Sequence, residues 1–371
     1  MSIASLVYRK YLQSGRLARR FWSLPRKVLI HLLSDPTCSM QVHGRLLSMR
    51  LSHSLPIYFQ DHPCYDRLPQ RIGQFVKRKA GHVRLIDVGA NIGDTIAAFY
   101  TGPDDQFLAI EPDPNFRKFL LANWGANPNV RVISDLCSSE SLEGTYRLEE
   151  KNGTASLIPA TDGLALRSRS LDDIVKDDGF AKDANILKVD TDGHDFKVLA
   201  GAKRFIAEKR PVVLFECAPF GNARFIEQAT ETLERFYRAG YSCCLLYNNL
   251  GDFMGKYDLK ELSAIRNLFF YQLLTDSLYY DVLLINDQDI EEFFQSEAQF
   301  FADRVADRNL RQSALKAISG LSRSCGQQDR ASTPMLCHWP NRRTRHGNRG
   351  KAGGPRLRRV GGRARFLQSP D

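Results

Sequence analysis

Residues 85–95 read LIDVGANIGDT, and this stretch decides the fold. Extended back to Val83, its first half is the run VRLIDVG, almost continuously apolar and interrupted near its end by Asp87, the pattern of a strand buried on both faces. The second half breaks into a turn. Gly89 and Gly93 let the backbone double back and let a ligand approach it closely, and a helix opens near Asp94 or Thr95. The spacing is not a dinucleotide fingerprint, because residue 91 is Asn rather than Gly, and no phosphate-loop lysine follows.

Short apolar runs of the same kind recur outward from this point: QFLAIEP (106–112), VRVIS (130–134), NILKVD (185–190), PVVLFE (211–216), YSCCLLYN (241–248) and LYYDVLLIN (278–286). Helical stretches separate them. Residues 66–80 place Leu68, Ile72, Phe75 and Val76 on one side. PNFRKFLLANWGA begins with Pro and carries Gly near its end, HDFKVLAGAKRFIAEKR stops at Pro211, and NARFIEQATETLERFYRAG is a third helix. Alternating strands and helices imply crossover connections. The expectation is a Rossmann-like α/β fold, a seven-stranded mostly parallel sheet with helices on both faces, its last two strands forming an edge. The segment 249–277 reads as a helical, aromatic insertion.

The chain has 371 residues and a formal charge of +10, unevenly placed. Residues 1–32 carry seven Lys or Arg and no acid; residues 322–371 carry twelve and two acids. The remaining body is mildly acidic. That distribution predicts a basic helical extension over 1–65, a catalytic domain over 66–290, a C-terminal helix over 291–321, and a disordered Arg/Gly-rich tail over 322–371, which could touch nucleic acid or an acidic surface weakly. The eight cysteines show neither CxxC pairing nor metal-finger spacing, which fits a reducing compartment. Adjacent Cys243 and Cys244 should point to opposite faces of a strand. No apolar run is long enough to span a bilayer, and no secretory segment is present. A cytoplasmic protein is expected, although the Arg-rich start also fits an organelle-targeting peptide or a helix lying on a membrane surface.

In an open parallel sheet, ligands bind at the carboxyl ends of the strands, where strand order reverses. The Gly89 turn lies there. A pyrophosphate would be repelled by Asp87 and Asp94, whereas a ligand with an ammonium and a sulfonium would be favoured, and S-adenosylmethionine has both. Glu111 ends the second strand, where a carboxylate can accept hydrogen bonds from both hydroxyls of a ribose. Asp135, after the third strand, could accept from an adenine amino group.

The fourth strand ends in LKVDTDGHDFKVL, bringing Lys188, Asp190, Asp192, His194 and Asp195 to the same edge. Asp190 or His194 could take a proton from a substrate hydroxyl, with Lys188 orienting. Asp192 could meet substrate or cap the following helix, and Asp195 could complement the helix dipole. Glu216 ends the fifth strand, placed for substrate recognition. The acceptor pocket is expected between the N-terminal helices and the 249–277 insertion, whose Phe253, Tyr257, Phe269, Phe270 and Tyr271 could stack on a sugar or an aglycone, with core packing the alternative for most of them. Two other readings stand beside this one. VDTDG resembles the Asp-x-Asp pattern of metal-dependent glycosyltransferases, using Asp190 and Asp192, and the domain could instead serve as a non-catalytic binding module.

Taken in order, DVGANIGDT, EPDPNFRKFLLANW, SLDDIV, LKVDTDGHDFKVLAGA and PVVLFE resemble the FkbM-type S-adenosylmethionine-dependent methyltransferases, which have the class I methyltransferase fold. The resemblance implies that Asp87, Gly89, Asn91, Gly93 and Thr95 form the methionine-side loop, that Glu111 binds the ribose, and that the fourth-strand block borders the reaction centre. One departure is visible: the block usually carries Val-Glu-Gly, and here it is Thr191-Asp192-Gly193. The family implies O-methylation of a hydroxyl on a sugar, polysaccharide or natural product; that chemistry requires no metal, although the clustered carboxylates are of the kind that suits Mg²⁺ or Mn²⁺. The resemblance says nothing of residues 1–65 or of the tail.

Overall fold

A computed structural model describes residues 2–151, 154–159, 164–275 and 278–321. The Arg/Gly-rich tail expected to be disordered, with Cys325 and Cys337, lies outside the described residues. Fourteen strands occur among the described residues: β1 (Thr37–Val42), β2 (Arg45–Arg50), β3 (Arg84–Val88), β4 (Gln106–Ile110), β5 (Val130–Ile133), β6 (Leu136–Ser138), β7 (Leu142–Lys151), β8 (Thr154–Pro159), β9 (Leu164–Ser170), β10 (Ile186–Val189), β11 (Val212–Cys217), β12 (Cys243–Asn248), β13 (Phe253–Asp258) and β14 (Tyr280–Leu284).

Eight of them form the central sheet, in the order β13-β12-β14-β11-β10-β3-β4-β5. The strands β5, β4, β3, β10 and β11 pair in parallel, while β14 runs antiparallel between β11 and β12. All seven expected strands are therefore present, and the sheet is mostly parallel. It is corrected at one edge. Residues Phe253–Asp258, expected to be helical, pair with β12 as an eighth strand, so β13 is outermost and β12 and β14 lie just inside it. From β3 the chain moves to β4 and β5 on one side and later returns to β10 and β11 on the other. That reversal point, between β3 and β10, is the crevice where ligands collect in open α/β sheets.

Alternation along each strand sends side chains into two cores, one per face. Leu85, Phe107, Ile186, Leu214 and Cys243 pack on one face; Ile86, Leu108, Leu187, Phe215 and Cys244 pack on the other. The expected opposite orientation of Cys243 and Cys244 is observed, and the six described cysteines are buried thiols outside any disulfide.

Helices cover both faces. Leu68–Ala80 buries Leu68, Ile72, Phe75 and Val76 and ends at Gly81 in the left-handed region. Asp113 caps Pro114–Trp124 by accepting from the Asn115 amide. The stretch read as one helix over 194–210 is two, Asp195–Ala200 and Lys203–Lys209, and the C-terminal helix is likewise two, Ile290–Asp303 and Arg308–Leu321. Two further additions were not expected: the β1–β2 hairpin within the N-terminal helical extension, and a four-stranded sheet ordered β6-β9-β7-β8. The Ile290–Asp303 helix is fastened to Leu68–Ala80 by a bidentate ion pair, Arg71 Nε and Nη2 to Glu297 at 2.6 and 2.8 Å, and Tyr247 also donates to Glu297 at 2.9 Å.

Candidate active site

The loop after β3 has the backbone its glycines require. Gly89 lies at φ +80°, and a Cβ there would sit 1.8 Å from the Asp190 carbonyl oxygen, so the β3 and β10 loops pack backbone against backbone. Asn91 is left-handed at φ +47°, and its amide donates to Glu111 Oε2 at 2.8 Å. Gly93, at φ +83°, faces Trp124, whose indole Nε1 donates to the Gly93 carbonyl at 2.9 Å. The helix Asp94–Phe99 follows.

Two cavities meet at this loop. One, of ≈ 350 Å³, is lined by Gly89, Asn91, Glu111, Pro112, Phe116, Leu136, Cys137, Asp190, Asp192 and His194, among others. The other, of ≈ 400 Å³, is lined by Tyr58, Tyr65, Asp94, Thr95, Lys188, Glu216, Asn249 and Tyr279, and it shares Gly89, Asn91, Asp190 and Asp192 with the first. A smaller adjoining cavity adds Asp66 and Asp281.

Strand pairing explains the charge arrangement. Lys188 lies opposite Asp87 in the parallel β10–β3 register. Its ammonium is 3.3 Å from both Asp87 Oδ1 and Asp190 Oδ2, and it donates to the Gly89 carbonyl at 3.1 Å. Burial alone would lower the Lys188 ammonium, but the carboxylates of Asp190, Asp87 and Asp94 outweigh it and hold it above the ordinary lysine range. It is a fixed cation, not a base. Burial raises the fully enclosed Asp87 to about 6 against the pull of Lys188. Burial also raises Glu111 to about 8, although both its oxygens accept backbone amides, from Asn91 and Asp113. Each oxygen keeps lone-pair capacity for a further donor.

Glu216 faces Asp281 across the β11–β14 register. Burial first, then Asp190, Asp195, Asp192 and Asp281, pushes the Glu216 carboxyl well above the usual range, and Glu216 Oε2 is buried without a hydrogen-bond partner among the described residues. Asp94 was expected beside the ligand, whereas Asp281, Tyr65 and Tyr279 were not singled out in the sequence. A lone acid in the apolar run LYYDVLLIN was the available signal for Asp281.

Several expected residues fall elsewhere. Asp135 does not line the first cavity; its carboxylate is 3.4 Å from Arg169 Nη1, and the neighbouring Leu136 and Cys137 line the wall instead. His194 lines only the first cavity, 3.2 Å from the Ser138 hydroxyl, and burial, helped by Lys197, lowers it to about 4. It is therefore neutral near pH 7 and away from the second cavity. Asp195 turns inward, accepting from the Thr191 and Gly193 amides at 3.2 Å each, so it braces the turn. Asp192, at φ +50°, lines both cavities, and the helix that follows has no side-chain cap bond. The second cavity does lie between the N-terminal segment and the start of the insertion, at Asn249 and Leu250, but not against the insertion's aromatics. Phe269 is fully buried, Phe253 packs on Tyr247 and Phe294, Phe270 and Tyr271 are exposed, and none of the five lines these cavities. Tyr58, Tyr65 and Tyr279 take that place. Among the described residues, no group of three His, Cys, Asp or Glu side chains is arranged to hold a metal ion.

The residue set fits a nucleoside carrying a cationic amino-acid end. Glu111 offers a carboxyl group beside the apolar Phe116, Leu136 and Cys137, and the acidic second cavity begins at the shared wall. Residues 87–243 match the family model described as Methyltransferase FkbM domain. No curated protein matches the chain. Among solved structures, it is similar to the methyltransferase FkbM from Methylobacillus flagellatus KT, at 18% identity over 40% of this chain and 36% of that one, TM-score 0.29. It is also similar to precorrin-6y C5,15-methyltransferase from Geobacter metallireducens GS-15, at 15% identity over 58% and 87% of the two chains, TM-score 0.31. A third is fibrillarin from Aeropyrum pernix, solved with natively bound S-adenosyl-L-methionine, at 10% identity over 55% and 66%, TM-score 0.29. The chain thus spans only 36% of the length of the first of these.

Proposed function

We propose that the chain, whose residues 87–243 match the Methyltransferase FkbM domain model, is an S-adenosylmethionine-dependent O-methyltransferase acting on a hydroxyl of a sugar, polysaccharide or natural product. The observation that carries this reading is the union of Gly89, Asn91 and Glu111 in the wall of one cavity that shares Asp190 with a second.

S-adenosylmethionine supplies a methyl sulfonium, an electrophile already activated. The protein's residues then have to align an oxygen and take its proton. Glu111 binds the ribose hydroxyls, with Pro112, Phe116, Leu136 and Cys137 enclosing the base. Asp94, in the wall of the second cavity, supplies negative charge beside the methionine end, and Asp87, buried behind that wall, holds the Lys188 ammonium at 3.3 Å. Asp190 stands in the wall common to both cavities and accepts the acceptor proton; His194, on the adenosine side and lowered to about 4, is the weaker candidate. Burial pushes the Glu216 carboxyl well above its ordinary range and so favours its protonated form, and its Oε2, buried without a partner among the described residues, can hydrogen-bond an acceptor hydroxyl. Tyr58, Tyr65 and Tyr279 give that side rings on which a sugar face can lie.

The test is transfer of labelled methyl from S-adenosylmethionine to a panel of sugars, polysaccharides and polyhydroxylated natural products. Asp190→Asn is expected to lower kcat by about 100-fold or more while leaving donor affinity within about threefold. Equal turnover by Asp190→Asn would reject its role as base.

A further inference from the structure

The helix Arg16–Leu32 has two apolar faces, and only one is used. Its inner side packs Leu29 and Ile30 against the core, ties Arg19 to Asp61 at 2.9 Å, and lets Arg26 donate to the Leu51 and Ser52 carbonyls. Its outer side carries Leu17, Phe21, Leu24, Val28 and Leu32 at steps of three and four residues, one continuous stripe. These side chains are exposed, Leu17 at 82%, Phe21 at 70% and Leu32 at 76%. Leu33, just past the helix, is exposed as well, and the preceding helix Ile3–Gln13 exposes Ile3 and Leu6. Arg20 and Lys27, both exposed, run along one edge of the stripe, and no acid occurs in residues 1–32.

We propose that this outer face docks on an anionic phospholipid bilayer. A water-facing stripe of this size on a helix this basic has the form of an interfacial helix, its apolar side chains in the acyl boundary and its cations among the headgroups. Charge selects the occupant. A second copy would bring the same acid-free, cationic helix against itself, whereas an anionic surface complements it and faces away from the mildly acidic body. No described helix is long and apolar enough to cross a membrane, so the contact is one of lying on the surface. Docking would hold the second cavity near acceptors displayed at a membrane.

The full chain is floated with phosphatidylcholine vesicles, with and without roughly 30% phosphatidylglycerol, at about 0.15 M salt. Wild-type protein is expected to float with the anionic vesicles, and Phe21→Gln/Leu24→Gln to lose about tenfold or more of that partitioning with an unchanged Tm. Leu17→Gln/Leu32→Gln, built on separate residues of the stripe, should show the same loss. The Arg-rich tail is common to all three proteins, so it cannot account for a difference among them. Flotation of both variants at the wild-type level, no flotation of wild type, or a wild-type dimer that the variants dissociate without vesicle binding would each overturn the proposal.

Discussion

At the scale of single residues, Gly89 and Glu111 hold the account together. Gly89→Ala places a methyl group 1.8 Å from the Asp190 carbonyl at a φ of +80°. Strain of about 1–2 kcal/mol adds to that clash, so the β3 and β10 loops must separate, and donor affinity is expected to fall at least tenfold by calorimetry. Glu111 carries the pH dependence. Its folded value is raised, from 4.5 to about 8, chiefly by burial. Its contribution to stability is therefore fully present below the ordinary value and is lost as pH rises through about 8. Denaturant unfolding of the donor-free protein should show this decline between those values, and Glu111→Gln should flatten it. An identical pH slope in both proteins would contradict the assignment. Both residues were legible in the sequence, because a glycine that must turn a strand and an acid that ends the next strand have fixed places in a βαβ unit. Asp135 was not, since nothing in its neighbourhood announces that Arg169, thirty-four positions on, will draw it away.

At the scale of elements, the seven strands could be read because each is a continuous apolar run, and their contacts on two faces require that composition. What escaped notice has partners distant in sequence or a pattern shared with helices. The β13 residues FMGKYD alternate weakly, and only pairing with β12 makes them a strand. The aromatics of the helix Ser263–Leu274 sit at spacings that could face a ligand or a core, and tertiary packing decided for the core at Phe269. Two helix contacts can be tested. Trp124 anchors the turn through the Gly93 carbonyl, so Trp124→Phe should cost about 1–3 kcal/mol in stability and weaken donor binding, while the overall circular dichroism is retained. Arg71→Leu leaves Glu297 buried without its bidentate partner, and about 3–5 kcal/mol of unfolding free energy should be lost in denaturant titrations. A change below 1 kcal/mol would mean that Glu297 is satisfied by Tyr247 alone.

At the scale of the whole molecule, the charge map separates roles. The methyltransferase match lies over residues 87–243, within the mildly acidic body, and the excess of Lys and Arg lies in the two ends. Removal of residues 322–371 should therefore leave donor affinity within about twofold, while any binding to nucleic acid should fall and lose its salt dependence. The acceptor side was the least legible part. It is assembled from the Tyr58–Tyr65 segment, the Asn249 turn and Tyr279, which come together only when β12 and β14 close the sheet. The central claim concerns the other side of the site, and one measurement addresses it directly: calorimetric titration of the full chain with S-adenosylmethionine, beside Asp87→Ala and Glu111→Ala. The account predicts one-to-one binding by the wild-type chain that both substitutions abolish. Folded wild-type protein that does not bind, or binding that survives both substitutions, would contradict it.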